Sequence, residues 1–234
     1  MNNDVVIIVP IYKKILDWHE VNSLDQLFSI CGKKYNIIAI YPESINISYY
    51  ENNFDFYRYD KFWDIHFTSK KNYSNLMLNK DFYMNYTDYK YMFLYQLDGW
   101  IFKDELEEWC DKGYDYIGAP LMSEYNMLNT AYMNYNGNGG VSLRNIQWMI
   151  DNLERINVEP LDLNFEPYED MFISTKFIFN NHPSFLECAK FSWDVKPDLL
   201  YKLIDFNLPF CCHAYLANGY NFYKDFNFIT YYKE

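Results

Sequence analysis

The segment Tyr91-Met92-Phe93-Leu94-Tyr95-Gln96-Leu97-Asp98-Gly99 constrains this chain most, because it reads as a buried strand ending on an acidic turn. Open α/β sheets bind ligands beyond the carboxyl ends of their strands, so Asp98 stands where a hard oxygen ligand is useful. Val5–Val9 is a continuous β-branched run, the pattern of a strand buried on both faces, and it stops at Pro10. Asn36–Tyr41 repeats the pattern and is closed by Pro42.

Helical signals fall between these runs. Ser23-Leu24-Asp25-Gln26 has capping-box form, Leu24, Leu27, Phe28 and Cys31 share one face, and Gly32 is the stop. Phe54–Tyr59 alternates like a half-exposed third strand, and a helix is expected over Tyr73–Tyr83. The order predicts an α/β fold with a mostly parallel central sheet and crossover helices. Further along, Asp104–Cys110 reads as a short helix and Tyr114–Pro120 as a strand entering a turn. Residues 121–136 have loop or lid character, and Val141–Leu143 is a short strand. Ile146, Met149, Ile150 and Leu153 then mark an amphipathic helix, and another helix begins near Tyr168. The 234 residues show no linker or internal repeat, so one domain is expected, with halves meeting near residue 100.

A net charge of −12 argues against nucleic acid as a partner, since phosphate neutralisation needs a basic face, and against docking on anionic lipid by bulk charge. No apolar run approaches membrane-spanning length, and the N-terminus lacks a signal-peptide layout, so a cytoplasmic protein is expected. The five cysteines are odd in number, scattered and without CxxC spacing, which reads as reduced thiols. Arginine occurs only at 58, 144 and 155, which makes Arg144, beside a glycine cluster, noteworthy.

Four constellations can carry chemistry. Asp98 either seats a divalent cation, whose remaining positions phosphate oxygens and water would fill, or merely begins a turn before Gly99. Gly137, Gly139 and Gly140 let the backbone approach a ligand or adopt positive φ, although the spacing matches neither a P-loop nor a dinucleotide fingerprint. Arg144 then pairs with phosphate or with an internal carboxylate such as Glu169. Glu169-Asp170 opens a helix, where the dipole favours acids. Only one of the two can point at a substrate, so Asp170 is the expected base and Glu169 a structural or hydroxyl-binding partner. His213 lies in an apolar stretch, either as a core residue or as a partner for Mn²⁺ or a diphosphate oxygen.

The ordered set Val9-Pro10-Ile11-Tyr12-Lys13, Gln96-Leu97-Asp98, Gly113-Tyr114-Asp115-Tyr116-Ile117-Gly118-Ala119-Pro120, Gly137-Asn138-Gly139-Gly140-Val141-Ser142-Leu143-Arg144, Glu169-Asp170-Met171-Phe172 and Pro209-Phe210-Cys211-Cys212-His213 resembles a family of unknown function regarded as GT-A-like glycosyltransferases. The resemblance runs from about residue 5 to 216. It implies a Rossmann-like nucleotide half followed by an acceptor half. It also implies a nucleotide-sugar donor, expected to be a UDP-sugar, and a glycan or other hydroxyl acceptor. Mn²⁺ or Mg²⁺ would sit on Asp98 and His213, and Asp170 would be the base of an inverting transfer. Pro10, Ile11, Tyr12, Gln96, Gly139, Gly140 and Arg144 would hold the donor.

The chain departs from the family pattern at several points. Gln96 stands where such enzymes place the first acid of an Asp-x-Asp pair, Cys211 where Gly is expected, and Asp194 where Glu is more usual. The alternative from another class is a catalytically silent carbohydrate- or nucleotide-sugar-binding module, for which a Tyr- and Trp-rich surface would serve.

Overall fold

The computed structural model describes residues 4–122, 137–156 and 168–224. A six-stranded sheet forms its centre, in the order β3-β2-β1-β4-β7-β6. Strands β1 (Val5–Pro10), β2 (Asn36–Pro42), β3 (Arg58–Phe62) and β4 (Tyr91–Tyr95) run parallel, β7 (Val141–Asn145) runs antiparallel to β4, and β6 (Tyr116–Gly118) lies antiparallel on β7. The expected mostly parallel α/β sheet is therefore present. A smaller sheet joins β5 (Trp100–Ile101), β9 (Cys211–Cys212) and β8 (Ser192–Trp193), with β9 in the middle.

The unbroken apolar runs are explained by coverage on both faces. Val5, Ile7 and Val9 point into one core cluster with Leu24, Leu27 and Phe93, while Val6 and Ile8 point into the other with Met77, Phe82 and Met149. Each fully buried aliphatic side chain of this kind contributes about 1.5–3 kcal/mol. The first core is closed by α1 (Trp18–Cys31), the second by α3 (Lys70–Met77), α4 (Lys80–Met84) and α6 (Ile146–Ile156).

Three local expectations are corrected. Helix α1 starts at Trp18 rather than after Ser23, because Asp17 and Glu20 form the capping pair, with the Asp17 N–H donating to Glu20 Oε2 at 2.9 Å. Ser23 lies inside the helix, where its hydroxyl donates to the Gly99 carbonyl at 2.7 Å and so ties α1 to the turn after Asp98. The third strand is Arg58–Phe62, not Phe54–Tyr59. The Phe54 and Phe56 rings pack on Phe28 at centroid distances of 6.0 and 5.1 Å, so their alternation reports an aromatic cluster instead of a pleat. The expected helix over Tyr73–Tyr83 is two helices, divided where Asn79 caps α4 by accepting from the Asp81 N–H.

The second half carries α5 (Leu106–Asp111), α7 (Glu169–Lys176), α8 (Phe185–Phe191), α9 (Pro197–Leu203) and α10 (Tyr215–Tyr223). Residues 123–136, expected to form a loop or lid, lie outside the described residues. The five cysteines are free and buried, and no helix among the described residues is long and apolar enough to cross a membrane.

Candidate active site

A cavity of about 500 Å³ opens at the carboxyl ends of β1 and β4. Pro10, Tyr12, Gln96, Asp98, Gly139, Gly140, Glu169, Asp170 and His213 all line it, which brings together most of the residues singled out from the sequence. Ile11 does not, since its side chain is fully buried in the core. The loop that presents Tyr12 is pinned by Lys13, whose ammonium bridges Asp17 at 2.6 Å and the buried Glu20 at 2.9 Å.

Asp98 lies just past the tip of β4, facing a histidine that enters from β9. His213 Nε2 is 3.2 Å from Asp98 Oδ1 and 3.2 Å from Gln96 Oε1. On the other side of the ring, Nδ1 is 3.2 Å from Asp194 Oδ1, and Asp194 is itself held by the amides of Asn138 and Asn218. Burial pulls His213 down, but the hydrogen bonds and charges of Asp194 and Asp98 outweigh it and push its pKa up to about 10. Burial would likewise raise Asp98, yet the hydrogen bond and charge of His213 hold its carboxyl below the ordinary value.

The expected glycine function takes a specific form here. A Cβ on Gly140 would come within 2.2 Å of His213 Nε2, and one on Gly139 within 2.4 Å of Glu169 Oε1. Gly137, with φ of +101°, admits the Tyr116 ring against its backbone. The cluster thus lets the chain approach the side chains of the site. Cys211, where glycine was expected, sits fully buried in β9, and the His213 N–H still donates to the Trp193 carbonyl at 2.8 Å.

Of the two partners left open for Arg144, the structure supplies the carboxylate. The guanidinium is fully buried, 3.4 Å from Glu169 Oε1, and donates to the Tyr83 hydroxyl at 2.9 Å, so it bears on the cavity through Glu169. The other Glu169 oxygen accepts from the Ser74 hydroxyl at 2.9 Å. Glu169 is thereby tied down on both oxygens, and Asp170 is left facing the cavity. Asp170 Oδ2 accepts from the Gly139 N–H at 3.1 Å and Oδ1 from the Met171 N–H at 2.7 Å. Burial and the neighbouring Glu169 charge overcome these bonds and raise the Asp170 pKa to about 6.

Sequence reasoning gave no role to Asp194, Asn138, Ser74 or Lys70. Asp194 was visible only as a departure from an expected Glu, and Ser74 only as one position in a helix. Gly-Tyr-Asp, read as part of the family pattern, is structural: buried Asp115 accepts the Asn180 and Asn181 N–H groups at 2.5 and 2.8 Å.

Asp98, His213 and Gln96 offer a carboxylate, an imidazole and a neutral amide oxygen, with both oxygens 3.2 Å from His213 Nε2. That mixed N/O donor set suits Mn²⁺ or Mg²⁺, and Asp194 on Nδ1 orients the ring so that Nε2, once it gives up its proton, faces Asp98 and Gln96. Asp17, His19 and Glu20 also cluster, but Lys13 and the cap of α1 already occupy Asp17 and Glu20.

Solved structures of glycosyltransferases share this architecture. An active-site mutant of LgtC superposes with a TM-score of 0.56 at 12% identity, over 89% of this chain and 86% of that one. Core-mannan synthase A of Aspergillus fumigatus, solved in an Mn/GDP form, gives 0.52 at 9% identity over 76% and 70%. A glycosyltransferase involved in glycosylating the major capsid of PBCV-1 gives 0.50 at 11% over 89% and 92%. At such identities the likeness is one of fold, and that fold is GT-A. No curated protein matches the chain in sequence. The model of one family, described as a protein of unknown function (DUF5672), matches residues 56–213, and the chain belongs to that family.

Proposed function

We propose that this cavity is the active site of a glycosyltransferase that moves a sugar from a nucleoside-diphosphate donor to a hydroxyl acceptor with inversion. The observation that carries the reading is the placement, in one cavity, of Asp170, a carboxylate raised toward neutrality, with the Asp98 carboxylate and the His213 imidazole 3.2 Å apart. The donor's nucleotide would lie along Pro10 and Tyr12, and its diphosphate beside Asp98.

Asp98 and His213 would hold Mn²⁺ or Mg²⁺, with Gln96 close by. A divalent ion held there would neutralise charge on the leaving diphosphate. Asp170 accepts the proton of the acceptor hydroxyl while that oxygen forms a bond to the sugar C1. The C1–O bond to phosphate breaks, and its electron pair leaves with the diphosphate. Gly139 orients the base, and a pKa raised toward neutrality makes Asp170 a stronger proton acceptor that is still ionised at pH 7. Glu169, held by Arg144 and Ser74, contributes charge and position.

The test is thermal stabilisation by UDP-, GDP-, dTDP- and CMP-sugars, each with Mn²⁺ and with EDTA, followed by turnover of the stabilising donor. A Mn²⁺-dependent shift lost in Asp98→Ala, with turnover lost in Asp170→Asn but binding kept, is the expected result. Binding without any turnover, even hydrolysis, would favour the silent sugar-binding module. No shift with any nucleotide would reject the reading.

A further inference from the structure

The cavity wall carries Asp98, Glu169 and Asp170, and the whole chain has a net charge of −12. Among the described residues that line it, Lys70 is the sole lysine or arginine. Arg144 is consumed by Glu169 behind the wall. Among the described residues Lys70 has no ion-pair partner, and its ammonium lies 5.7 Å from the centroid of the Tyr168 ring, a cation–π contact at the cavity edge. Tyr168 is itself 41% exposed.

The position of this pair separates it from the metal side. Asp98 and Gln96 follow β4, and His213 follows β9. Lys70 begins α3, and Tyr168 immediately precedes α7, which bears the base. The two helices are bolted together one turn deeper. Ser74, four residues after Lys70, donates to Glu169 Oε2 at 2.9 Å and accepts from the Glu169 N–H at 3.3 Å. Residues four apart share a helix face, so Lys70 and Tyr168 form the next layer of the same joint, two residues from Asp170.

We propose that Lys70 and Tyr168 are the acceptor-recognition edge of the site, and that the acceptor is an anionic sugar, one carrying a carboxylate or a phosphate. The proposal rests on the transferase reading above. Arg144 pairs with Glu169 and His213 with Asp98, so among the described residues that line the cavity Lys70 is the cation with no carboxylate partner, and an anionic acceptor would be met there. Tyr168, which is partly exposed, offers aromatic surface to the sugar's C–H groups, and its cation–π contact holds the Lys70 ammonium over the ring. A neutral sugar would keep the stacking and lose the charge-assisted bond.

The experiment is saturation-transfer NMR with glucose, glucuronate and glucose 6-phosphate at equal concentration, on wild type, Lys70→Met, Lys70→Arg and Tyr168→Ala. Binding of UDP with Mn²⁺ is measured in parallel on each. We expect one or both anionic sugars to bind more tightly than glucose; which of them does identifies a carboxylate or a phosphate as the recognised group. That preference should fall about tenfold in Lys70→Met and survive in Lys70→Arg. Tyr168→Ala should weaken all three sugars, and UDP binding should be unchanged throughout. Equal binding of glucose and the anionic sugars by wild type would overturn the proposal. So would a loss of UDP affinity in Lys70→Met, which would assign Lys70 to the donor diphosphate. If instead UDP and the other nucleotides never bind while anionic sugars bind through Lys70, the transferase reading fails and the anion-recognising edge stands.

Discussion

Gly140 and His213 are packed so closely that a single methyl group on the glycine would occupy the space of the imidazole, 2.2 Å from Nε2. The imidazole is the far end of a side chain and can turn away at the cost of its Asp98 and Asp194 contacts, whereas the backbone leading into β7 cannot move. Gly140→Ala is therefore expected to spare the fold and disable the site. Its melting temperature should change little, and Mn²⁺-dependent nucleotide binding should weaken by an order of magnitude or more. Gly139→Ala should behave differently. Its Cβ meets Glu169 Oε1, which Arg144 and Ser74 hold in place, so stability should fall by about 1–3 kcal/mol. Matched thermal melts and binding titrations on the two variants check the contrast, and equal loss of stability in both would refute it.

Asp170 gives opposite signs for stability and activity over one pH window. Its pKa is raised from the ordinary value to about 6, so between about pH 4 and 6 the folded protein holds a proton that the unfolded chain has lost. This group stabilises the fold fully below the unfolded pKa, and its contribution is lost as pH rises through about 6. A base must be ionised, so kcat/KM should rise over that window. Asp170→Asn should lower turnover a hundredfold or more and remove the contribution of this group to the pH dependence of stability. A variant whose melts keep the wild-type pH slope between 4 and 6 would show that another carboxyl titrates there.

The parts of the fold legible in the sequence are those where one physical cause dominates. Val5–Pro10, Asn36–Pro42 and Tyr91–Tyr95 are central strands covered on both faces, and their burial leaves an uninterrupted apolar signature. The edge strand Arg58–Phe62 has no such signature, because an edge tolerates Arg58, Asp60 and Lys61, while the nearby aromatic cluster imitates a strand. At the site, Asp98 and Asp170 were legible because a strand tip and a helix start fix where their side chains go. Asp194 and Ser74 were not, since they reach His213 and Glu169 across 19 and 95 residues of sequence. Only the folded chain brings such partners together.

Arg144 and Glu169 form a buried pair whose halves should be costly to separate. Glu169→Gln leaves the guanidinium, at zero exposure, without its carboxylate, and the expected loss is about 3 kcal/mol. For a chain of this length that is a fall in melting temperature of about 6 °C or more. Arg144→Met in the same background should recover part of the loss, because no buried charge then remains unpaired. A double variant less stable than either single one would contradict the pairing.

Asp194 is expected to govern metal affinity without touching the metal. It takes the Nδ1 side of His213 at 3.2 Å, and the Asn138 and Asn218 amides fix its own carboxylate. Accepting the Nδ1 proton commits the lone pair of Nε2 to the face shared with Asp98 and Gln96. Asp194→Asn removes that charge while keeping an acceptor oxygen, so the ring stays in position and its basicity drops. Mn²⁺ affinity, read by isothermal titration calorimetry and corrected for the proton displaced from His213, should fall about 10–100-fold. In wild type, with the His213 pKa pushed to about 10, Mn²⁺ must displace a proton, so affinity should rise with pH and the binding enthalpy should vary with buffer ionisation enthalpy. The charge removed in Asp194→Asn lowers the His213 pKa, so the proton released per Mn²⁺ near neutral pH should shrink in that variant. Equal proton release in wild type and variant would mean that Asp194 does not set the protonation of His213.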